Sequence, residues 1–210
     1  MYKNFFKRFI DLFFGILIFI ILLPVFTVIY ILVRLKMGTP VFFRQKRTGK
    51  NRAIFEIIKF RTMINKTKSE ENDSSRLTKL GFFLRKTSLD ELPQILNIIQ
   101  GEMSFIGPRP LLPEYLNYYY DSELSRFDVR PGMSGYAEII GRHKISWDDQ
   151  FRYDAYYAAN LSLLLDLKIL LITIPKVLHI SNVSSLSREN KRLDVIRCTK
   201  KNNLPDERLN

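Results

Sequence analysis

Cysteine and histidine are nearly missing from this chain of 210 residues. The single cysteine, Cys198, excludes an internal disulfide and is in keeping with a reducing, cytoplasm-facing environment. With two histidines beside it there is no His/Cys cluster to hold zinc, so any metal must be a hard cation on carboxylate oxygens. Acid is also scarce. Against 33 basic residues stand 21 acidic ones, and the net charge of +12 calls for an anionic partner, either nucleic acid or the phosphates of lipids and nucleotides. No internal repeat is evident, which excludes a solenoid.

What is present begins with apolar length. From Leu12 to Val33 the chain reads LFFGILIFIILLPVFTVIYILV without a charge, enough to cross a hydrocarbon core of about 30 Å as a helix. No small-residue cleavage site follows, so the segment is expected to stay attached. A membrane segment turns the cationic surplus toward lipid and nucleotide phosphates rather than nucleic acid. Lys3, Lys7 and Arg8 precede it; Arg34, Lys36, Arg44, Lys46 and Arg47 follow. Basic residues favour the cytoplasmic side, and one crossing cannot satisfy both ends. Pro24 removes one helical hydrogen bond mid-segment, so a re-entrant hairpin is expected, with Lys7 and Arg8 as its membrane anchor and Pro24 as its hinge. The alternative is a straight span with a tolerated proline.

Chemistry concentrates between Arg85 and Pro110, RKTSLDELPQILNIIQGEMSFIGPRP. Ser88 and Glu91 have the spacing of a capping box on the helix carrying Leu92, Ile95 and Ile99, which would explain both without catalysis. That leaves Asp90. Near a helix N-terminus and beside Arg85 and Lys86, its carboxylate is expected to be ionised and therefore nucleophilic, and the same N–H groups and cations suit a phosphate. A start at Pro93 instead would leave both acids in the turn before the helix. Arg109, between two prolines, sits in an extended segment that lowers the entropy lost when its guanidinium meets an anion.

Elsewhere the patterns are plainer. VFFRQKR and RAIFEIIKFRTM around TGKN read as a β-hairpin, bringing Lys59 and Arg61 as further cations. Residues Asn65 to Ser75 read as a polar loop, and Pro113 to Arg126 as a helix with a tyrosine cluster. Arg130 and Arg142 bracket three glycines, a composition suited to a loop that approaches a phosphate ligand; His143 reads as a surface residue. Leu161 to Ile180 contains Asp166, Lys168, Pro175 and Lys176, which favours an amphipathic interfacial helix over a second crossing. From Ser181 the tail is polar, basic and expected to be partly disordered.

These patterns describe an α+β, predominantly helical protein with a small β-hairpin. Residues 1–36 would form the re-entrant membrane helix with basic flanks, 37–180 a cytoplasmic-face catalytic domain, and 181–210 a polar basic tail.

From Lys7 to about Val177 the chain resembles the monotopic phosphoglycosyl transferases of the bacterial sugar transferase family. The resemblance rests on Pro24 in the hydrophobic helix, KFRTM (Lys59 to Met63), SLDELPQ (Ser88 to Gln94), GEMSFIGPRP (Gly101 to Pro110), VRPGMSGYAEIIGR (Val129 to Arg142) and LLLDLKIL (Leu163 to Leu170). The family commonly has tryptophan, glutamine and asparagine where this chain has Tyr136, Glu138 and Ile140, aspartate at Glu102, and serine at Leu23.

The resemblance implies transfer of a sugar 1-phosphate from a UDP-sugar to a polyprenyl phosphate, such as undecaprenyl phosphate, with Mg2+ and release of UMP, at the cytoplasmic face of the bacterial inner membrane. On this reading Asp90 is the nucleophile, Glu91 helps it hold the metal, and Arg85, Arg109, Arg130, Arg142, Lys59 and Arg61 bind donor phosphate and nucleotide. Two other functions fit part of the pattern. A membrane-tethered basic binding protein would need SLDE only as a cap, and a transferase moving sugar without phosphate would release UDP.

Overall fold

The computed structural model describes residues 2–64, 76–141, 145–178 and 192–202. After a π-helical segment, Tyr2–Phe6, the apolar run forms one helix, α1 (Lys7–Met37), with Pro24 inside it. Only its ends are buried: Lys7, Asp11 and Gly15 near the start, Ile29 and Val33 near the finish, and nothing in 16–28 between them. Phe19 and Phe26 lie two turns apart, about 10 Å of helical rise, yet their ring centroids are 5.9 Å apart. Helical side chains lean the same way along the axis, so rings this close lie inside a bend, and Pro24, with no N–H for the preceding turn, is where the helix can give.

Both ends dock on one body. At the start Lys7 Nζ meets Asp166 Oδ2 at 2.6 Å, and Arg8 donates to the carbonyls of Ile98 (2.5 Å) and Ile99 (2.7 Å). Lys7 and Arg8, expected as the membrane anchor, tie the start of the helix to the protein body through these contacts. Asp11 accepts from Ser104 Oγ at 3.0 Å and the Phe105 N–H at 3.2 Å. At the finish, Ile29 and Val33 pack with Val41, Phe60 and Leu84. Arg61 donates to the carbonyls of Met37, Gly38 and Thr39, which close the helix.

The expected β-hairpin forms around the TGKN turn. Strands β1 (Phe42–Thr48) and β2 (Ile54–Phe60) pair antiparallel from Phe42 opposite Phe60 to Thr48 opposite Ile54. β2 is buried on both faces, Phe55 and Ile57 on one and Ile58 and Phe60 on the other. Helix α2 (Lys79–Lys86) follows, then a 3-10 turn (Leu89–Glu91) and helix α3 (Gln94–Gln100). Asn97 of α3 is fully buried and uses its amide as a clamp, accepting from the Ile58 N–H (3.1 Å) and donating to Glu56 O (2.8 Å). That fixes α3, and the turn feeding it, against β2.

Strand β3 (Ser104–Ile106) pairs parallel with β4 (Gly132–Ser134). A Cβ on Gly132 would lie 2.1 Å from the Gly107 nitrogen, so the GPRP and RPGMSG segments touch backbone to backbone. Between them, the stretch expected to be helical forms two 3-10 segments, Pro113–Tyr118 and Asp121–Asp128.

Three helices complete the body: α4 (Tyr136–Gly141), α5 (Trp147–Ala159) and α6 (Leu163–Leu178). In α6, Ile169 and Asp166 are buried, while Leu164 is 80% and Leu171 69% exposed. The outer face of α6 is thus largely apolar, and its one acid turns inward.

Part of the tail is ordered by docking. Residues 192–202 include helix α7 (Leu193–Asn202), whose Leu193 is buried with Leu111, Tyr115, Trp147 and Phe151. Arg197 forms a two-pronged pair with Glu123, both contacts 2.7 Å, and reaches Asp148 at 2.8 Å. One apolar anchor and one multiply bonded arginine hold a sequence whose composition alone reads as solvated.

Candidate active site

Asp90 and Glu91 lie in the 3-10 turn that precedes α3, the arrangement in which the helix starts after the acids. The capping box is not formed. Ser88 adopts a left-handed conformation (φ 56°) and makes no side-chain bond to the turn. Such a conformation costs a non-glycine residue on the order of 1 kcal/mol, and here it turns both carboxylates inward.

Lys59, near the end of β2, binds Glu91 Oε1 at 2.5 Å, and Arg109 Nη2 stands 3.7 Å from the same oxygen. Burial pushes the Glu91 carboxyl up, but Lys59 and Arg109 outweigh it and hold the group below its ordinary range. Gln94 adds a hydrogen bond to it.

Asp90 behaves oppositely. It is only 9% exposed, and burial, with the neighbouring Glu91 charge, raises its pKa to about 6 against the pull of Lys59 and Arg85. The expected field of cations is present, yet desolvation wins. The carboxylate is still ionised at neutral pH, and its raised pKa makes it a stronger base and nucleophile than a surface aspartate.

Arg85 approaches from α2, its Nε donating to Thr62 Oγ1 at 3.0 Å. Arg109 stands on the GPRP segment, with Nη1 on Glu138 Oε1 at 2.9 Å. Lys59, Arg85 and Arg109 therefore surround the acids from β2, α2 and the loop after β3.

Other expected phosphate ligands lie elsewhere. Arg61 is spent on the carbonyls ending α1. Arg130 Nε donates to Gly101 O at 2.7 Å, at the far end of α3 from Asp90, where its charge faces Arg8. Arg142 and His143 fall outside the described residues.

Among the described residues no group of three or more His, Cys, Asp or Glu side chains forms a metal cage. The paired acids still fit Mg2+, which is typically held by one or two carboxylates plus substrate phosphates. The like-charge crowding that raises Asp90 is what a divalent cation relieves.

The support beneath the site was hidden from sequence reasoning. Arg126 and Asp154, both buried, pair at 2.9 Å, and Arg126 Nη2 also donates to the Arg109 carbonyl at 2.8 Å. Tyr119, Phe127 and Phe151 surround that guanidinium.

With this geometry in hand, comparison decides the family: the profile of the bacterial sugar transferases matches residues 2–180. The chain belongs to the bacterial sugar transferase family. The uncharacterized sugar transferase EpsL of Bacillus subtilis is 50% identical over 70% of this chain and 74% of its own length. The exopolysaccharide production protein ExoY of Sinorhizobium fredii is 38% identical over 81% of this chain and 84% of its own. The undecaprenyl-phosphate galactose phosphotransferase of Salmonella typhimurium is 31% identical over 84% of this chain, which spans 41% of that longer protein. The profile stops short of α7, so this transferase's docked C-terminal helix lies outside the matched region.

Proposed function

We propose that this transferase moves a sugar 1-phosphate from a UDP-sugar to a polyprenyl phosphate, such as undecaprenyl phosphate, through a covalent intermediate on Asp90. The observation that carries this is the buried Asp90 carboxylate, pKa about 6, beside Glu91. The cations around the pair suit a diphosphate.

In the first step a carboxylate oxygen of Asp90 bonds to the β-phosphorus, and the bond from that phosphorus to the bridging oxygen breaks, expelling UMP. In the second, a phosphate oxygen of the polyprenyl phosphate attacks the same phosphorus and frees Asp90. Lys59, which holds Glu91, keeps that acid ionised beside Asp90. Arg85 and Arg109 offset the charge gathering on the transferred phosphoryl oxygens. Mg2+, held by Asp90 and Glu91 with the donor phosphates, would supply further neutralisation of that charge.

Helix α1 supports membrane attachment. Its two ends are fixed to one body while its apolar middle stands free, so the middle can enter a bilayer only by returning to the leaflet it came from. The exposed leucines of α6 would lie along the same surface. With basic flanks on both sides, that surface is the cytoplasmic face of the bacterial inner membrane. Confinement there holds the acids at the depth of the lipid phosphate.

The test is product identity. UDP-sugar and polyprenyl phosphate should yield UMP, and donor alone should leave a sugar-phosphate mass on the intact chain, absent from Asp90→Asn. UDP as the released nucleotide would mean transfer of sugar without phosphate. UMP release with no adduct in any variant would mean direct transfer between the two substrates.

A further inference from the structure

We propose that Glu138 is a resident anion seated on the phosphate-binding face of Arg109, which an incoming donor phosphate must displace, so that Glu138 sets the affinity and anion selectivity of the donor pocket. This rests on the functional reading above and goes beyond it in naming the group that guards the pocket.

Arginine recognises phosphate through paired N–H groups on one edge of its planar fork. In Arg109 both terminal nitrogens are engaged by carboxylates: Nη1 by Glu138 at 2.9 Å, and Nη2 faces Glu91 at 3.7 Å. A diphosphate seeking that edge meets two oxygens already there.

The two acids are not equally held. Glu91 has Lys59 at 2.5 Å as well as Arg109. Glu138 has, among the described residues, Arg109 alone as side-chain partner. It rises from the first turn of the short helix α4, and its side chain is 29% exposed, so water can solvate it once released. Glu138 is therefore the oxygen that yields. Its displacement exchanges one charge-assisted bond for another, which lowers the net gain from the donor and favours ligands whose phosphates can engage Arg109 at two points.

Removing the competitor should strengthen phosphate binding. In the full-length chain in detergent, titrated with UDP, uridine and inorganic pyrophosphate, Glu138→Gln should bind UDP and pyrophosphate roughly three- to tenfold tighter than wild type, the scale of a partly exposed ion pair. Uridine binding should not change. Glu138→Ala should show the same gain, separating charge from amide chemistry. On an Arg109→Ala background, Glu138→Gln should bring no gain, because nothing remains to be uncovered.

Unchanged or weaker pyrophosphate binding by both Glu138 variants would overturn the proposal and make Glu138 a support that aims Arg109. A gain that persists without Arg109 would overturn it as well, since general charge would then be the cause. If UDP binds no better than pyrophosphate but both follow this pattern, the displaced anion stands and the nucleotide reading fails. If neither ligand binds wild type or any variant, both fall.

Discussion

Arg126 Nη2 donates to the main-chain carbonyl of Arg109 at 2.8 Å and to Asp154 Oδ2 at 2.9 Å, the same carboxylate oxygen that Arg126 Nε meets at 3.2 Å. Arg109 is thus fixed by its backbone as well as by its flanking prolines. Its guanidinium faces Glu91 and Glu138, and its backbone position is set by a buried ion pair.

Breaking that pair should be costly. Asp154→Asn leaves Arg126 buried with an uncompensated charge, and a loss of about 3–5 kcal/mol is expected. Chemical or thermal unfolding in detergent measures it; a loss below about 1 kcal/mol would show that the pair is solvated in a way its burial contradicts.

Asp90 should trade stability for chemistry. Its folded pKa of about 6 lies above the ordinary value of 3.8, so the folded state holds that proton more tightly than the unfolded chain. The associated stability is complete below pH 4 and is lost as pH rises through about 6, leaving a penalty of roughly 3 kcal/mol at neutral pH. Asp90→Asn removes the charge, so it should raise the unfolding midpoint at pH 7.5, raise it little at pH 4, and abolish turnover. In the wild type, kcat should rise with pH through about 6 as the nucleophile ionises. An Asp90→Asn chain less stable than wild type at pH 7.5 contradicts the burial argument.

What could be read from the sequence was local. The hairpin declared itself by two β-rich runs around a glycine-containing turn, α1 by uninterrupted apolar length, and the acids by adjacency within SLDELPQ. The failures have one cause, which is that a charged side chain does not announce its partner. Lys7 and Arg8 read as membrane anchors because basic residues flank an apolar run, yet their partners lie 159 and 90 residues away. Arg61 matched the expectation of a phosphate ligand in type but serves the end of α1. Ser88 and Glu91 had the right spacing for a cap, and the left-handed turn at Ser88 sent Glu91 to Lys59 instead. Helix α7 was missed because a short polar segment gains its stability from Leu193 and Arg197 docking, not from its own propensity.

Leu193 tests that last point. It is fully buried at the start of α7, and Leu193→Ala should cost about 2–5 kcal/mol if the helix unfolds only with the body. If α7 instead detaches on its own, global unfolding will be unchanged and only proteolysis near residue 192 will quicken. The first outcome makes the C-terminal helix part of the domain; the second makes it an accessory.

Topology tests the membrane reading. Lys7 is anchored to Asp166 and Val33 to the core around Phe60, so the residues just outside these points cannot lie on opposite sides of a bilayer unless the body comes apart. In a Cys198→Ser background, single cysteines at Lys3 and at Lys36 should both react with an impermeant thiol reagent from the cytoplasmic side only. Pro24→Ala restores a hydrogen-bond donor mid-helix and favours a straight rod, which opposes the docking of one end or the other. It should therefore lower stability even though the same change in an isolated helix would raise it. Labelling of the two sites from opposite sides in the wild type would sink the re-entrant reading. If Pro24→Ala left both labelling and stability unchanged, the bend at Pro24 would not be what keeps the two ends together, and the docking contacts of Lys7, Arg8, Ile29 and Val33 would carry that task alone.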